Sequence, residues 1–439
     1  MERRPDIVLM VMDSARADRL SCYGYHRRTT PFLDELCSFA VVYDQAIAPA
    51  YWTLPSHSSL FTGLYPSEHG ALRPGMALPG DIGPTMAEAL SEAGYTTIAL
   101  SNNPNVSHPT NLSRGFQVFD DAWRRKRRAR IWKALASGHR LLGLGDDGAA
   151  ATLRRAAELL RSGSQPLFLF LLFMDTHMPY FAHWRGPGGL SLPLRAWRML
   201  PVYARFTAGG NWGALLRERP HLVHLLNDLY DGELSHFDRQ LRRFFQDLAV
   251  CRGKRDIVSI ITADHGEALG DHGKMSHGAS VYDALGRVPL IIHAPGWVKA
   301  PARVKAQVQL TDIWPSLARR LGLPTAADHW AEKRPDLFDL DRLRDGDWPA
   351  FMETSPEDGL TAVRSNGYKY IVTLEGEELY DLRDDPAELK DLASQRPEIL
   401  EKMRAELGAF RKHSKPYRGP TPTSEDREFV SQLRALGYL

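Results

Sequence analysis

Thr53 lies in the segment Trp52-Thr-Leu-Pro-Ser-His-Ser-Ser-Leu-Phe-Thr-Gly63, which has the pattern of a helix start. The threonine suits an N-cap, Pro55 sits in the first turn where a missing N–H is harmless, and Gly63 can end the helix. A hydroxyl in that place faces oriented amides and the positive end of the helix dipole. Such surroundings favour an alkoxide and an incoming phosphate or sulfate. The alternative is an ordinary capping threonine, which is the commoner meaning of such a residue taken alone.

Asp264-His265-Gly266-Glu267 follows the apolar run Ile257–Thr262. One carboxylate and one imidazole at a strand end can share a divalent cation. A near-copy, Asp271-His272-Gly273, lies in a glycine-rich loop, and the copy at the strand end is the expected ligand pair. Asp13 ends the run Ile7–Met12 and could bind metal or cap the helix after it. His177, within Asp175-Thr-His-Met-Pro-Tyr180, and His277, before Gly278, complete the group of side chains able to bind oxyanions or move protons.

The elements that must position these residues are short apolar runs separated by helix-like stretches: Ile7–Met12, Thr96–Leu100, Leu167–Met174, Ile257–Thr262 and Val288–His293. Runs apolar on both faces predict an α/β fold, with a large mostly parallel sheet sandwiched by helices. Ligands collect beyond the carboxyl ends of such strands. Asp13, Asp175 and Asp264-His265 all fall there. After about residue 300 the pattern changes to short strands at Trp348–Thr354, Thr361–Thr373 and Glu378–Leu382, with the turn Asn366-Gly367 and a helix near Pro397–His413. The expected division is a catalytic domain over 1–345 and a small C-terminal antiparallel α+β subdomain over 346–439. Residues 181–217 mix aromatics, arginines and glycines and could form a lid or a structural insertion. The block Trp123–Arg130 is densely basic and reads as a solvated helix face or an anion-binding patch.

Composition adds limits. With 439 residues, 43% hydrophobic and 25% charged, the chain can bury a large core. A net charge of +2 points to no polyelectrolyte partner, and no nucleic acid is expected. The first apolar run is too short for a signal sequence or a membrane span, so a cytoplasmic protein without a membrane span is expected, with an oligomer left open. Cys22, Cys37 and Cys251 are too few and unpatterned for a disulfide framework and read as buried free thiols.

In this order the motifs resemble the sulfatase-like branch of the alkaline phosphatase superfamily from end to end. Asp6–Tyr25 resembles its opening strand and D-x-x-R-x-D turn. Thr53-Leu-Pro-Ser-His…Leu60-Phe-Thr-Gly63 resembles the nucleophile signature Cys/Ser-x-Pro-Ser-Arg…Thr-Gly. His177-Met-Pro-Tyr180 resembles H-x-P-Y, and Ala263-Asp-His-Gly-Glu267 the second metal motif. Val288-Pro-Leu-Ile-Ile292 and Glu378-Leu-Tyr-Asp-Leu-Arg-Asp-Asp-Pro386 resemble the late strand and the C-terminal signature.

The departures are as informative. The family's sulfatases oxidise a cysteine or serine to formylglycine, and Thr53 cannot give that aldehyde. Their Asp-Asp pair is Asp13-Ser14 here, and the arginine after Pro-Ser is His57. Their Gly-Lys-Trp-His segment has no counterpart near Gly94–Asn105, and His277 stands where a lysine is expected. The resemblance therefore implies a metal-dependent hydrolase of phosphate mono- or diesters, a small anionic ester being the substrate, through a phospho-threonine intermediate. Phosphodiesterases, phosphatases and phosphoethanolamine-type transferases of the superfamily use a threonine directly. A sulfuric ester hydrolase and a phosphotransferase are the alternatives. The implied metal ligands are Asp13, Thr53, Asp264 and His265, with His57, His177 and His277 binding substrate and His177 and His277 assisting Thr53 in catalysis. One imidazole among hard oxygens suits manganese, magnesium or calcium, with zinc as the alternative. A second ion held by Asp175, His177 and His277 is left open.

Overall fold

The computed structural model describes residues 4–125, 148–160, 165–180, 199, 219–253, 255–278, 280–346, 348–419 and 427–435. Apart from Met199, the stretch 181–217 lies outside the described residues, as do positions 126–130 of the basic block. In chain order the strands of the first part are β1 (Asp6–Met12), β2 (Val41–Ile47), β3 (Thr96–Ser101), β4 (Val118–Asp121), β5 (Leu167–Phe173) and β6 (Ile257–Thr262). They are followed by β7 (Ala268–Leu269), β8 (Met275–Ser276), β9 (Arg287–Val288), β10 (Leu290–His293) and β11 (Ala302–Gln309).

Nine of these form one sheet in the order β11-β2-β10-β6-β1-β5-β3-β4, with β9 on β2, while β7 and β8 make a separate hairpin. The block from β6 to β4 is parallel throughout, as the two-faced apolar runs require. All seven residues of β1 are buried. Each fully buried aliphatic side chain there contributes about 1.5–3 kcal/mol relative to exposure, so a polar substitution in this strand would be felt throughout the sheet.

The sheet is more mixed than expected at its other edge. The run Val288–His293 is split at Pro289, which has no N–H to give a ladder, and β10 runs antiparallel to both β6 and β2. Strands β2, β4 and β11 were not evident from apolar runs. Tyr43-Asp44-Gln45 interrupts β2, and β11 interleaves Arg303, Lys305 and Gln307, as an edge strand facing water does.

The C-terminal part holds a four-stranded antiparallel sheet of β12 (Ala350–Glu353), β13 (Thr361–Ser365), β14 (Tyr368–Val372) and β15 (Glu377–Asp381). The run Thr361–Thr373 is thus a hairpin rather than one strand. Asn366 (φ 50°) and Gly367 (φ 76°) both take positive φ, the two-residue turn that matches strand twist. The helix Pro397–His413 buries Leu400, Met403, Leu407 and Phe410 against Phe351, Val363, Tyr370 and Leu379. The three cysteines are free, as expected, but half-buried rather than buried. Among the described residues, no helix is long and apolar enough to cross a membrane.

Candidate active site

Parallel register decides which residues can meet. Met12 lies opposite Phe173, Val11 opposite Thr262 and Ser101 opposite Leu172, so β1, β3, β5 and β6 end along one edge. Asp13, Asn103, Asp175 to His177, and Asp264-His265 come directly after those ends. Side chains far apart in sequence are therefore delivered to one place by backbone pairing alone.

Thr53 reaches the same place from a helix, Thr53–Thr62, whose ten residues are all buried. The capping role expected for Thr53 is not what the structure shows. Trp52, with extended φ −152° and ψ 169°, is the N-cap, and Thr53 is the first helical residue. Its hydroxyl reaches the residues at the strand ends. Oγ1 donates to Asp13 Oδ2 at 3.4 Å and accepts from Asn103 Nδ2 at 3.2 Å, while Asn103 also donates to Asp13 Oδ2 at 2.6 Å. The positive helix end still faces the site, because that depends on the backbone. Gly63 stops the helix at φ 76°, and a Cβ there would meet Pro315 at 2.9 Å, so both conformation and space call for glycine.

Asp13, Asp264 and His265 form a fully buried group whose candidate ligand atoms lie within 4.8 Å of one another. His265 Nδ1 faces the Gly266 carbonyl at 2.8 Å. A carbonyl only accepts, so Nδ1 carries the proton and Nε2 presents a lone pair. That lone pair points at two carboxylate oxygens, Asp13 Oδ1 at 3.6 Å and Asp264 Oδ2 at 3.5 Å. Among the described residues, neither His265 Nε2 nor Asp264 Oδ2 has a hydrogen-bond partner. Three electron-rich atoms turned on one another in a dry interior is a costly arrangement, and one divalent cation resolves it. Electrostatics agrees. Burial and the neighbouring Asp13 push the Asp264 carboxyl well above the usual range. Burial also raises Asp13, but His177, His265, His277 and the Asn103 hydrogen bond outweigh it and hold that carboxyl low. The residues present fit a divalent metal ion. Among the described residues, Asp175, His177 and His277 form no comparable cluster of ligand atoms.

The other histidines divide into two kinds. His177 and His277 sit beside the cluster: their rings lie 4.8 Å apart, and His277 lies 4.9 Å from His265. His177 Nδ1 donates to the Met178 carbonyl at 2.6 Å. His277 Nδ1 faces Glu267 Oε1 at 3.2 Å, and Glu267 Oε2 accepts from Tyr180 at 3.0 Å. His57, expected to meet substrate, is instead buried under the helix against Phe61 and Phe170. It donates from Nδ1 to Thr53 O at 2.9 Å, with Asp264 Oδ2 at 3.5 Å, and burial depresses its pKa to about 4. Its ring backs the nucleophile helix and a metal ligand rather than lining an open surface.

Residues 5–323 match the sulfatase family. The chain belongs to that family. A Clostridium perfringens arylsulfatase is 24% identical over 89% of this chain and 90% of its own length. The delta 4,5-hexuronate-2-O-sulfatase of Bacteroides thetaiotaomicron is 22% identical over 94% and 90% respectively. The crystal structure of the phosphonate monoester hydrolase of Agrobacterium radiobacter superposes with TM-score 0.73 at 20% identity, covering 93% of this chain and 96% of that one. The protein is therefore a hydrolase of a divalent-metal-dependent family, on an α/β fold shared by enzymes named for different esters.

Within this sulfatase-family site several functional positions escape a reading of the sequence. Asn103 is the first, standing in the region where no counterpart of the family's lysine segment was found. Ser14 is another: it holds φ 64°, a strained value for a non-glycine residue. Its N–H donates to Asp264 Oδ1 at 3.2 Å, its hydroxyl to Asp13 Oδ1 at 3.0 Å, and its carbonyl accepts from Tyr230 at 2.9 Å. Thr176 secures the Asp13 carbonyl at 2.6 Å. Replacing Asn103 by alanine is expected to lower kcat by roughly 10²-fold, the usual loss when one preorganised donor at a reacting oxygen is removed. Metal content should stay whole, because Asp13, Asp264 and His265 remain. Steady-state kinetics beside elemental analysis checks this, and unchanged kcat would remove Asn103 from the reaction.

Proposed function

We propose that this sulfatase-family protein hydrolyses phosphate esters, mono- or diesters, with Thr53 as the direct nucleophile. One observation carries the reading: a threonine hydroxyl stands at the centre of the site, bonded to Asn103 and Asp13. Its β-carbon bears a methyl group, so oxidation would give a ketone, not the aldehyde on which the formylglycine route depends. Thr53 can take part only as an alcohol.

A divalent ion held by Asp13, Asp264, His265 and the Thr53 oxygen would shield phosphoryl charge and lower the hydroxyl's pKa. Asn103 holds Oγ1 in place with one N–H and Asp13 with the other. Oγ1 gives up its proton towards Asp13 Oδ2, the acceptor it already faces, as the Oγ1–P bond forms and the bond from phosphorus to the leaving oxygen breaks, and His177 or His277 supplies that oxygen with a proton. Glu267 and Tyr180 fix the His277 ring for this task. Water then attacks phosphorus and gives its proton to the same histidine, the Oγ1–P bond breaks with Oγ1 taking back a proton, and phosphate, or the monoester where a diester was bound, leaves. Asp264 is held between Ser14 N–H, His265 N–H and His57, so His57 acts through Asp264 and Thr53 without meeting substrate.

The rival is a sulfuric ester hydrolase, favoured by the two sulfatase relatives named above. A sulfated threonine would lack the easy elimination open to a formylglycine hydrate, whereas a phosphorylated one is open to in-line attack by water. An aryl phosphate is expected to be cleaved far faster than the aryl sulfate with the same leaving group, on one metal-loaded preparation. Faster sulfate cleavage would decide for the rival.

A further inference from the structure

The long helix His221–Arg252 lays Leu226, Tyr230, Leu234, Phe237 and Leu241 at spacings of three or four residues, all buried. Phe237 packs on Phe173 of β5 with ring centres 4.8 Å apart, which fixes the helix against the strands whose ends carry the site. That register brings the Tyr230 hydroxyl to the turn Asp13-Ser-Ala-Arg16. It donates to Ser14 O at 2.9 Å and accepts from the Arg16 N–H at 2.8 Å. Among the described residues, neither backbone group has another partner. Tyr230 and Ser14 are fully buried, and burial pushes the phenol far up, so the proton stays on its oxygen and goes to a carbonyl that can only accept.

We propose that Tyr230 is a positioning residue for the metal site, its hydroxyl holding Ser14 in the conformation that aims Asp13 and Asp264 at one ion. Only at φ 64° do the Ser14 N–H and hydroxyl reach Asp264 Oδ1 and Asp13 Oδ1 together. A serine leaves that region readily, because its Cβ crowds the backbone there, unless its surroundings over-determine it. Two peptide planes meet at Ser14. The first is held by Thr176 on Asp13 O at 2.6 Å and by Asp264 on Ser14 N at 3.2 Å. The second has the Ala15 N–H on Met12 O at a long 3.2 Å, and Tyr230 on Ser14 O. The same phenol oxygen takes the Arg16 N–H, so it clamps the turn on both sides of Ala15. Tyr230 bonds no ligand atom and acts through Ser14. Its role rests on the ligand set Asp13, Asp264 and His265, whichever ester is cleaved.

Manganese and calcium ions, each titrated calorimetrically into the metal-free full chain, read the site without substrate. Tyr230→Phe keeps the ring, which meets Tyr180 edge-on at 5.3 Å, and removes the hydroxyl alone. It should weaken the ion that the wild type binds by at least about tenfold, the usual loss when a group orienting a ligand is removed. Tyr43→Phe is the control. It deletes another fully buried hydroxyl, bonded to Leu337 O, and should lower the apo melting temperature with metal affinity unchanged. Ser14→Gly loses the bond to Asp13 but takes a positive φ without a Cβ penalty. Adding Tyr230→Phe to Ser14→Gly should therefore change metal affinity by less than about threefold. Apo melting curves confirm that each variant is folded. Wild-type affinity in Tyr230→Phe, an equal loss in Tyr43→Phe, or an undiminished effect beside Ser14→Gly would each overturn the assignment. A wild-type chain that takes up neither ion would overturn the ligand set itself, and the role of Tyr230 with it.

Discussion

Thr53→Ala is expected to lower kcat by roughly 10³-fold or more, because a covalent route loses its only nucleophile while binding and electrostatics persist. The substitution is clean for structural reasons. Trp52, not Thr53, is the N-cap, so the helix keeps its start. Asn103 keeps its 2.6 Å bond to Asp13, and the Asp13, Asp264 and His265 group is untouched. Alanine should therefore leave the fold near wild type and three of the four metal ligands in place, and kinetics at saturating metal make the loss attributable to the oxygen itself. Thr53→Ser restores the oxygen on a freer rotor and should recover part of the rate. During turnover of an aryl phosphate, acid quenching and peptide mass spectrometry should find phosphate on Thr53 in the wild type and none in the alanine variant. An alanine variant retaining about a tenth of wild-type turnover would take Thr53 out of the chemistry.

What could be read in advance follows from how each residue is placed. β1, β5 and β6 are buried on both faces, so each is a largely apolar run, broken inside only by Ser259, and an acid just after such a run stands out. Asp13 and Asp264 were legible for that reason. Asn103 obeys the same rule, following Thr96–Ser101, but an uncharged amide attracts no notice without a partner, and its partners lie 50 and 90 residues away. His57 shows the reverse failure. A histidine within a nucleophile segment invites a substrate-binding role, yet it lies one helical turn after Thr53 and bonds that residue's own carbonyl. The strand β10 was visible as apolar, but its antiparallel direction is set by the chain's path after Asp264, which no local pattern encodes. Ser14 was legible only as the loss of an acid. Its positive φ, which aims one residue's N–H and hydroxyl at two different carboxylates, is a property of the folded turn.

The two Asp-His-Gly copies are separated most sharply by what asparagine would do at each. At Asp264, Oδ1 accepts from the Ser14 and His265 N–H groups, and the amide oxygen of asparagine can keep both bonds. The amide nitrogen then replaces Oδ2, facing the His265 Nε2 lone pair at 3.5 Å. It would donate to that lone pair, so one substitution removes a ligand charge and occupies a second ligand. Asp264→Asn is accordingly expected to lose bound metal and activity together. Its effect on the metal-free protein has the opposite sign. Burial and Asp13 push the Asp264 carboxyl up, so the native state holds that proton above the pH at which the unfolded chain releases it. That contribution is present at low pH and is lost as pH rises through the folded value, so near neutrality a neutral amide should leave apo stability equal or higher. Metal at a hundred times its Kd should stabilise the wild type by about 2.7 kcal/mol and leave Asp264→Asn unmoved. Asp271, in the loop copy, instead accepts from the buried Arg16 at 2.5 Å and from Leu269 N–H at 2.8 Å. Asp271→Asn keeps one acceptor, weakens a half-exposed ion pair, and should cost about 1 kcal/mol with metal content whole. Elemental analysis and thermal melts with and without added metal read all three proteins. Full metal in Asp264→Asn, or its loss in Asp271→Asn, would show that the wrong copy has been placed at the centre.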